Sequence, residues 1–145
     1  MKYKLLIILA LGFLVAAGVA VAGKGGKTTA GFWVGSGEAI YPDGTGAEIT
    51  LVEVLLYQDG DFIHGEAEFT VKVGEADPGT FQGQMSGHIS GNSVKGIFGG
   101  CFPEAPDCLG ASVFEGKLHG NKLTGTVLDL SDGSTSVLSL NRIAD

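Results

Sequence analysis

The chain has 145 residues, 25 of them glycine, and 16 acidic against 9 basic side chains leave a net charge of −7. So acidic a balance repels nucleic acid and anionic membrane surfaces, which excludes functions that rest on polyanion binding. The length suits one domain with one modest core.

The N-terminal residues have the three parts of a secretory signal peptide, assigned to residues 1–22. Lys2 and Lys4 supply the positive start, residues 5–21 form an apolar run, and Ala20-Val21-Ala22 is a small-residue cleavage site. An uncleaved membrane anchor is the alternative for so long a run. No cysteine follows the run, so a bacterial lipid anchor has no attachment point. Cleavage after Ala22 leaves residues 23–145, which is 123 of the 145, as a single domain with 7 basic and 16 acidic residues, net −9. The expected location is secreted or periplasmic, with no membrane insertion of the mature chain.

The first strand is read over residues 30–40, with Trp33, Gly35, Gly37 and Ala39 on one face. A turn over residues 41–46 leads to a second strand, 47–58, that is apolar on both faces. Asp59-Gly60 is a strong two-residue hairpin signal. As the loop it sets Leu56 opposite Ile63, Val54 opposite Gly65, Val52 opposite Ala67 and Glu53 opposite Glu66. The third strand then alternates Ile63, Gly65, Ala67, Phe69 and Val71 with His64, Glu66, Glu68, Thr70 and Lys72. Residues 74–79 read as a loop.

Two hairpins of one pattern follow. Around Gly91-Asn92, Ile89 faces Val94, His88 faces Lys95, Gly87 faces Gly96 and Met85 faces Phe98. Around Gly120-Asn121, Leu118 faces Leu123, Lys117 faces Thr124, Gly116 faces Gly125 and Phe114 faces Val127. Both loops use residues that tolerate positive φ. Paired inner-face glycines let a small sheet coil sharply, as closed barrels require. Between these hairpins Cys101 and Cys108 are expected to form a disulfide closing a short loop, because the chain is read as secreted. Asp132-Gly133 is read as the turn into the last strand, 134–143, and sets Leu138 beside Val127, Leu140 beside Gly125 and Arg142 beside Leu123.

No segment of the mature chain has a helical period. Eight consecutive antiparallel strands with short loops predict an all-β, eight-stranded up-and-down barrel, which has no sheet edges. A two-sheet β-sandwich is the alternative. Gly31-Phe32-Trp33 opening the first strand and Arg142 ending the last resemble the calycin group of lipocalin-type and avidin-type barrels. The resemblance implies that Trp33 closes one end of the barrel and packs under Arg142. Avidin-type biotin sites use several tryptophans, and this chain has one, which points away from biotin.

The expected lumen is apolar, with Thr50 on its face and with no histidine, cysteine or carboxylate securely inside; Asp129 shares the face at a turn end. A general acid or base needs a titratable group beside a sheltered substrate, so a non-enzymatic protein is expected. No cofactor is implied. The expected function is binding of a small apolar or amphipathic ligand in the lumen. Trp33, Phe69, Phe81, Met85, Phe98 and Phe114 line it, and Arg142 is the polar anchor for an acidic head group. The alternative is a filled barrel that works as an interaction or structural protein through an outer apolar face made by Leu51, Leu55, Tyr57 and Phe62, with Ile49 nearby, meeting a partner or a second copy. No metal site is expected. The facing glutamates near His64 read as a solvated face, and the Asp-Gly turns lack calcium-ligand spacing.

Overall fold

The computed structural model describes residues 28–101 and 110–143, with Cys101 described by its backbone only. The expected signal peptide and the Cys101–Cys108 disulfide therefore lie outside the described residues. Eight strands follow one another: β1 (Gly31–Ile40), β2 (Gly46–Asp59), β3 (Phe62–Lys72), β4 (Gly79–Ser90), β5 (Ser93–Cys101), β6 (Gly110–His119), β7 (Lys122–Asp129) and β8 (Thr135–Arg142). Each is antiparallel to its neighbours in sequence, and β8 pairs with β1 to close the barrel. The sandwich alternative is thereby excluded.

Both repeated hairpins have the expected registers, from Ile89–Val94 to Met85–Phe98 and from Leu118–Leu123 to Phe114–Val127. In each loop only the glycine takes a positive φ, 60° at Gly91 and 61° at Gly120. A positive φ at the first central residue alone is the signature of a type II′ turn. The same rule corrects the β2–β3 hairpin. Its loop is Gly60-Asp61, again with φ 60° at the glycine, and Asp59 pairs with Phe62. The register moves by two residues from the one expected: Leu56 faces Gly65, Val54 faces Ala67, Val52 faces Phe69 and Glu53 faces Glu68. Because side chains repeat every two residues, every face is preserved while every partner changes.

The last turn is also longer than expected. Residues 130–134 form the loop, held by Asp129 N–H to Ser134 O at 2.9 Å and Gly133 N–H to Asp129 O at 3.0 Å. Leu138 therefore faces Gly125 and Leu140 faces Leu123. Arg142 lies past Leu123, its N–H donating to Asn121 O at 2.8 Å. A third correction concerns β2. It carries one extra residue at Thr50 relative to both neighbours, a β-bulge, and Thr50 Oγ1 donates to Thr70 O at 3.3 Å. The bulge turns Thr50 outward and brings Ile49 and Ala47 into the core. Ile49 is thus a core residue and not a neighbour of the outer face.

The inward faces make one core. Trp33, Val52, Leu56, Ile63, Val94 and Leu118 are fully or almost fully buried, while the charged residues of the same strands alternate outward. Apolar inside and charged outside is the reverse of a membrane-spanning barrel.

Candidate functional site

The two ends of the barrel differ. One end is made by the three Gly-Asx loops, the start of β1 and the end of β8. Trp33 seals it: the indole is 0 % exposed and its Nε1–H donates to Thr29 O at 2.8 Å. Thr29 is buried in turn, and its N–H and Oγ1 both donate to Gln58 Oε1, at 2.6 and 2.9 Å. Gln58 Nε2 donates to Gly60 O at 2.8 Å, which ties the plug to the β2–β3 loop. Trp33 and Arg142 are paired residues of neighbouring strands. The Arg142 guanidinium lies against Gly31, where a Cβ would be 2.8 Å from its Nε. So both residues stand at the closed end.

Among the described residues the other end is made by the loops 41–45, 73–78 and 130–134. Here Phe69, Phe81, Met85, Phe114 and Val127 are only partly buried against the core. Phe98 is the buried hub of this group. Its ring centroid is 5.2 Å from Phe69 and 5.5 Å from Phe81. Rings also cover glycines, as Phe114 lies over Gly96, Phe98 over Gly100 and Phe81 over Gly110. Much of the space that the inner glycines leave is therefore taken by aromatic rings.

What remains is a cavity of about 60 Å³. Val52, Val54, Ala67, Phe69, Met85, Phe98 and Phe114 line it, and on one side its wall is the bare Gly116–Gly125 pair. Glu115 borders it but turns its carboxylate outward to Lys95 Nζ at 2.8 Å. Of the residues expected to form the site, the structure brings Phe69, Met85, Phe98 and Phe114 around one cavity and sets Phe81 against Phe98 above it. Trp33 and Arg142 do not line this cavity. Arg142 ends β8 at the closed end, two residues beyond its expected place beside Leu123 and far from the mouth.

The polar group near the mouth is a carboxylate. Asp129 pairs with Ser112, whose buried hydroxyl lies 3.4 Å from Asp129 Oδ2, and Asp129 Oδ1 accepts from Ser131 N–H at 2.7 Å. The described loops of this end carry Asp43, Glu75, Asp77 and Asp132 and no lysine or arginine. Asp43 is held below its ordinary carboxylate range first by the Thr45 backbone N–H, which donates to Oδ1 at 2.8 Å, and then by the Thr45 side chain. Among the described residues the lining thus supplies apolar surface with an acidic rim. Among the described residues no group of three or more His, Cys, Asp or Glu is placed to hold a metal ion.

The outer face holds what sequence reasoning named and a region it missed. Leu51 and Leu55 are half-buried, Tyr57 and Phe62 are exposed, and exposed Phe32 sits opposite Leu55. The missed region has two parts. Ile97, Val113 and Leu128 stand opposite one another in a row across β5, β6 and β7, all exposed. Beside that row a groove of about 450 Å³ runs across β2 to β5. The signal for the row was present, since the two repeated hairpins place Ile97, Val113 and Leu128 on the outer face by alternation alone. Comparison with family models, curated proteins and solved structures finds no match for the chain.

Proposed function

We propose that the chain is an extracytoplasmic, calycin-like binding protein, not an enzyme, whose lumen takes a small apolar molecule or the apolar end of an amphipathic one through the acidic end. One observation carries this reading. An apolar cavity lies at the centre of the barrel beneath aromatic side chains that the fold leaves half-buried. Its size limits the cargo. An apolar cavity of about 150 Å³ accepts benzene and typical ligand sites span about 300–1,000 Å³, so about 60 Å³ receives a short alkyl end and no more. Any larger group enters only as Phe69, Phe81 and Met85 swing toward solvent. The acidic rim replaces Arg142 as the polar contact, so the favoured head group is a hydroxyl or a cation and not an acid.

The test is titration calorimetry with decanol on wild type and on Ala67→Val. Ala67 is buried and lines the cavity, so two added carbons fill the space with little overpacking strain. Decanol binding to wild type and its loss in a variant of equal or higher thermal stability is the expected result. Binding that survives Ala67→Val, or none to wild type, refutes a lumen site.

A second reading is a filled barrel acting through the outer face of β1 to β3. It is favoured by three exposed rings there, Phe32, Tyr57 and Phe62, and its occupant is a partner protein or a second copy. Sedimentation separates the two readings. Under the second, wild type associates and Leu55→Lys restores the monomer.

A further inference from the structure

Two adjacent rungs of the sheet build the outer groove. In the first, Tyr57 pairs with His64, His64 with Ser86 and Ser86 with Ile97; in the second, Leu55 pairs with Glu66, Glu66 with Gln84 and Gln84 with Gly99. Alternation points all eight outward. The residues at the edges are tall, namely Tyr57 with His64 on one side and Ile97 on the other. Ser86 between them is short and Gly99 has no side chain, so the wall is hollowed to about 450 Å³. A Cβ built at Gly99 would meet nothing nearer than Gly110 O at 3.9 Å, so the glycine is not there for packing.

One wall is an ordered aromatic ledge. The Tyr57 ring stacks on His64 at 5.4 Å between centroids and 24° between planes, and Phe62 stacks on His64 at 5.7 Å and 23°. The ledge is therefore supported from behind, which limits the rotamer freedom lost when something binds against it. The floor and far end carry a carboxylate, an amide and a hydroxyl, from Glu66, Gln84 and Ser86. None of these three makes a side-chain hydrogen bond among the described residues. Their neighbours do: Glu68 accepts from Gln82, and Lys95 pairs with Glu115. The donors and acceptors of Glu66, Gln84 and Ser86 are thus free to meet a ligand in the groove.

From this arrangement we infer that the groove is a saccharide-binding site, taking one or two units of a neutral sugar. Such a ligand has an apolar face of C–H groups that fits an aromatic ring, and hydroxyls that both donate and accept. An exposed tyrosine ring supplies the first contact. Glu66 accepts only, while Gln84 and Ser86 do both. The volume lies within the range of small-ligand sites. Among the described residues no lysine or arginine lines the groove, and Glu66 together with the net charge of −7 opposes phosphorylated or carboxylated sugars. A flat ring stack on one wall, open on the other side, offers a single face and not the enclosing cage that a quaternary ammonium group favours. The inference is independent of the lumen, because all its polar groups face away from the cavity.

The experiment is two-dimensional ¹H–¹⁵N NMR of the full chain, titrated with maltose, cellobiose and chitobiose and, separately, with tetramethylammonium chloride. The expected result is saturable shifts at the Gln84 side-chain amide and the Gly65 and Gly99 backbone amides with at least one disaccharide. Tyr57→Ala weakens that binding by about ten-fold or more, the scale of one lost aromatic contact. Gly99→Leu fills the groove and abolishes binding with the rest of the spectrum in place, which keeps folding and binding separate. Shifts with tetramethylammonium alone, no shift with any of the three sugars at 20 mM, or sugar binding unchanged in Gly99→Leu each overturn the inference.

Discussion

The closed and open ends of this barrel are made by the same eight strands, yet they solve opposite problems. At the closed end each hairpin turns in two residues, always Gly followed by Asp or Asn. Turns that tight bring strands together at once, and the inward side chains there meet across a narrow space that one indole fills. Each buried polar group in the plug has a partner, from Trp33 Nε1 to Thr29 to Gln58 to Gly60. At the open end the loops run to five or six residues where described, at 41–45, 73–78 and 130–134. Strands ending in longer loops leave their last inward side chains unroofed, so Phe69, Phe81 and Phe114 remain half-buried. Closed, fully satisfied packing is therefore found at one end, and partly exposed aromatic rings at the other.

Substitution separates the ends, and the largest effect belongs to Trp33. Trp33→Ala opens a large cavity at a fully buried position and strands the Thr29 carbonyl, for an expected loss of about 3–5 kcal/mol. Phe81→Ala at the open end removes a smaller ring from a partly exposed site and should cost only about 1–2 kcal/mol. Urea denaturation of the two variants measures the difference. Equal costs would mean that the open end is packed as tightly as the closed one.

The next effect tests the hydrogen-bonded plug alone. Gln58→Ala leaves the buried Thr29 N–H and hydroxyl without their acceptor. An unsatisfied buried polar group costs about 1–3 kcal/mol, so the expected loss lies between those of Trp33→Ala and an ordinary surface change. Gln84→Ala, which removes the same side chain from an exposed position with no partner, serves as the control and should stay within about 0.5 kcal/mol of wild type.

These contrasts also show which parts of the molecule were legible in the sequence. The registers of the Gly91-Asn92 and Gly120-Asn121 hairpins were readable, because a glycine with a following Asn fixes the loop and apolar alternation fixes the faces, although only the glycine takes the positive φ. Asp59-Gly60 and Asp132-Gly133 misled for a physical reason. An Asp-Gly pair suits a turn with two positive φ angles, whereas this chain uses Gly60 as the first central residue and spreads the last turn over residues 130–134. Inside and outside survived the first error, since a two-residue slip changes partners and not faces. The Thr50 bulge did change faces, and Thr-Leu-Val carries no mark of it. Arg142 was expected inside the lumen because a register from the wrong turn placed it beside Leu123. The groove was hidden for another reason. Tyr57 and His64 reach Ser86 and Gln84 only through the β3–β4 pairing, and the loop over residues 73–78 does not specify that register.

The smallest effect concerns the open-end loop at Asp43, and pH isolates it. The Thr45 backbone N–H and then its side chain stabilise the ionised carboxylate, which lowers the folded-state pKa below its ordinary value of 3.8. A depressed carboxylate contributes stability that is complete above the unfolded value and is lost as pH falls through the folded one. Wild type should therefore exceed Asp43→Ala in thermal midpoint by a constant small margin at pH 5 to 7, and the margin should shrink as pH drops below 3.8. All other carboxylates are common to both proteins, so the difference between them reports Asp43 alone. The Thr45 amide proton gives the local readout. Its chemical shift should titrate with a midpoint below 3.8, and a midpoint at or above that value would show that the hydrogen bond does not hold the turn. Because Asp43 is fully exposed, salt should erode the margin as well, whereas the plug around Trp33, buried and built without charge, should keep its contribution from pH 3 to pH 7 and at any ionic strength.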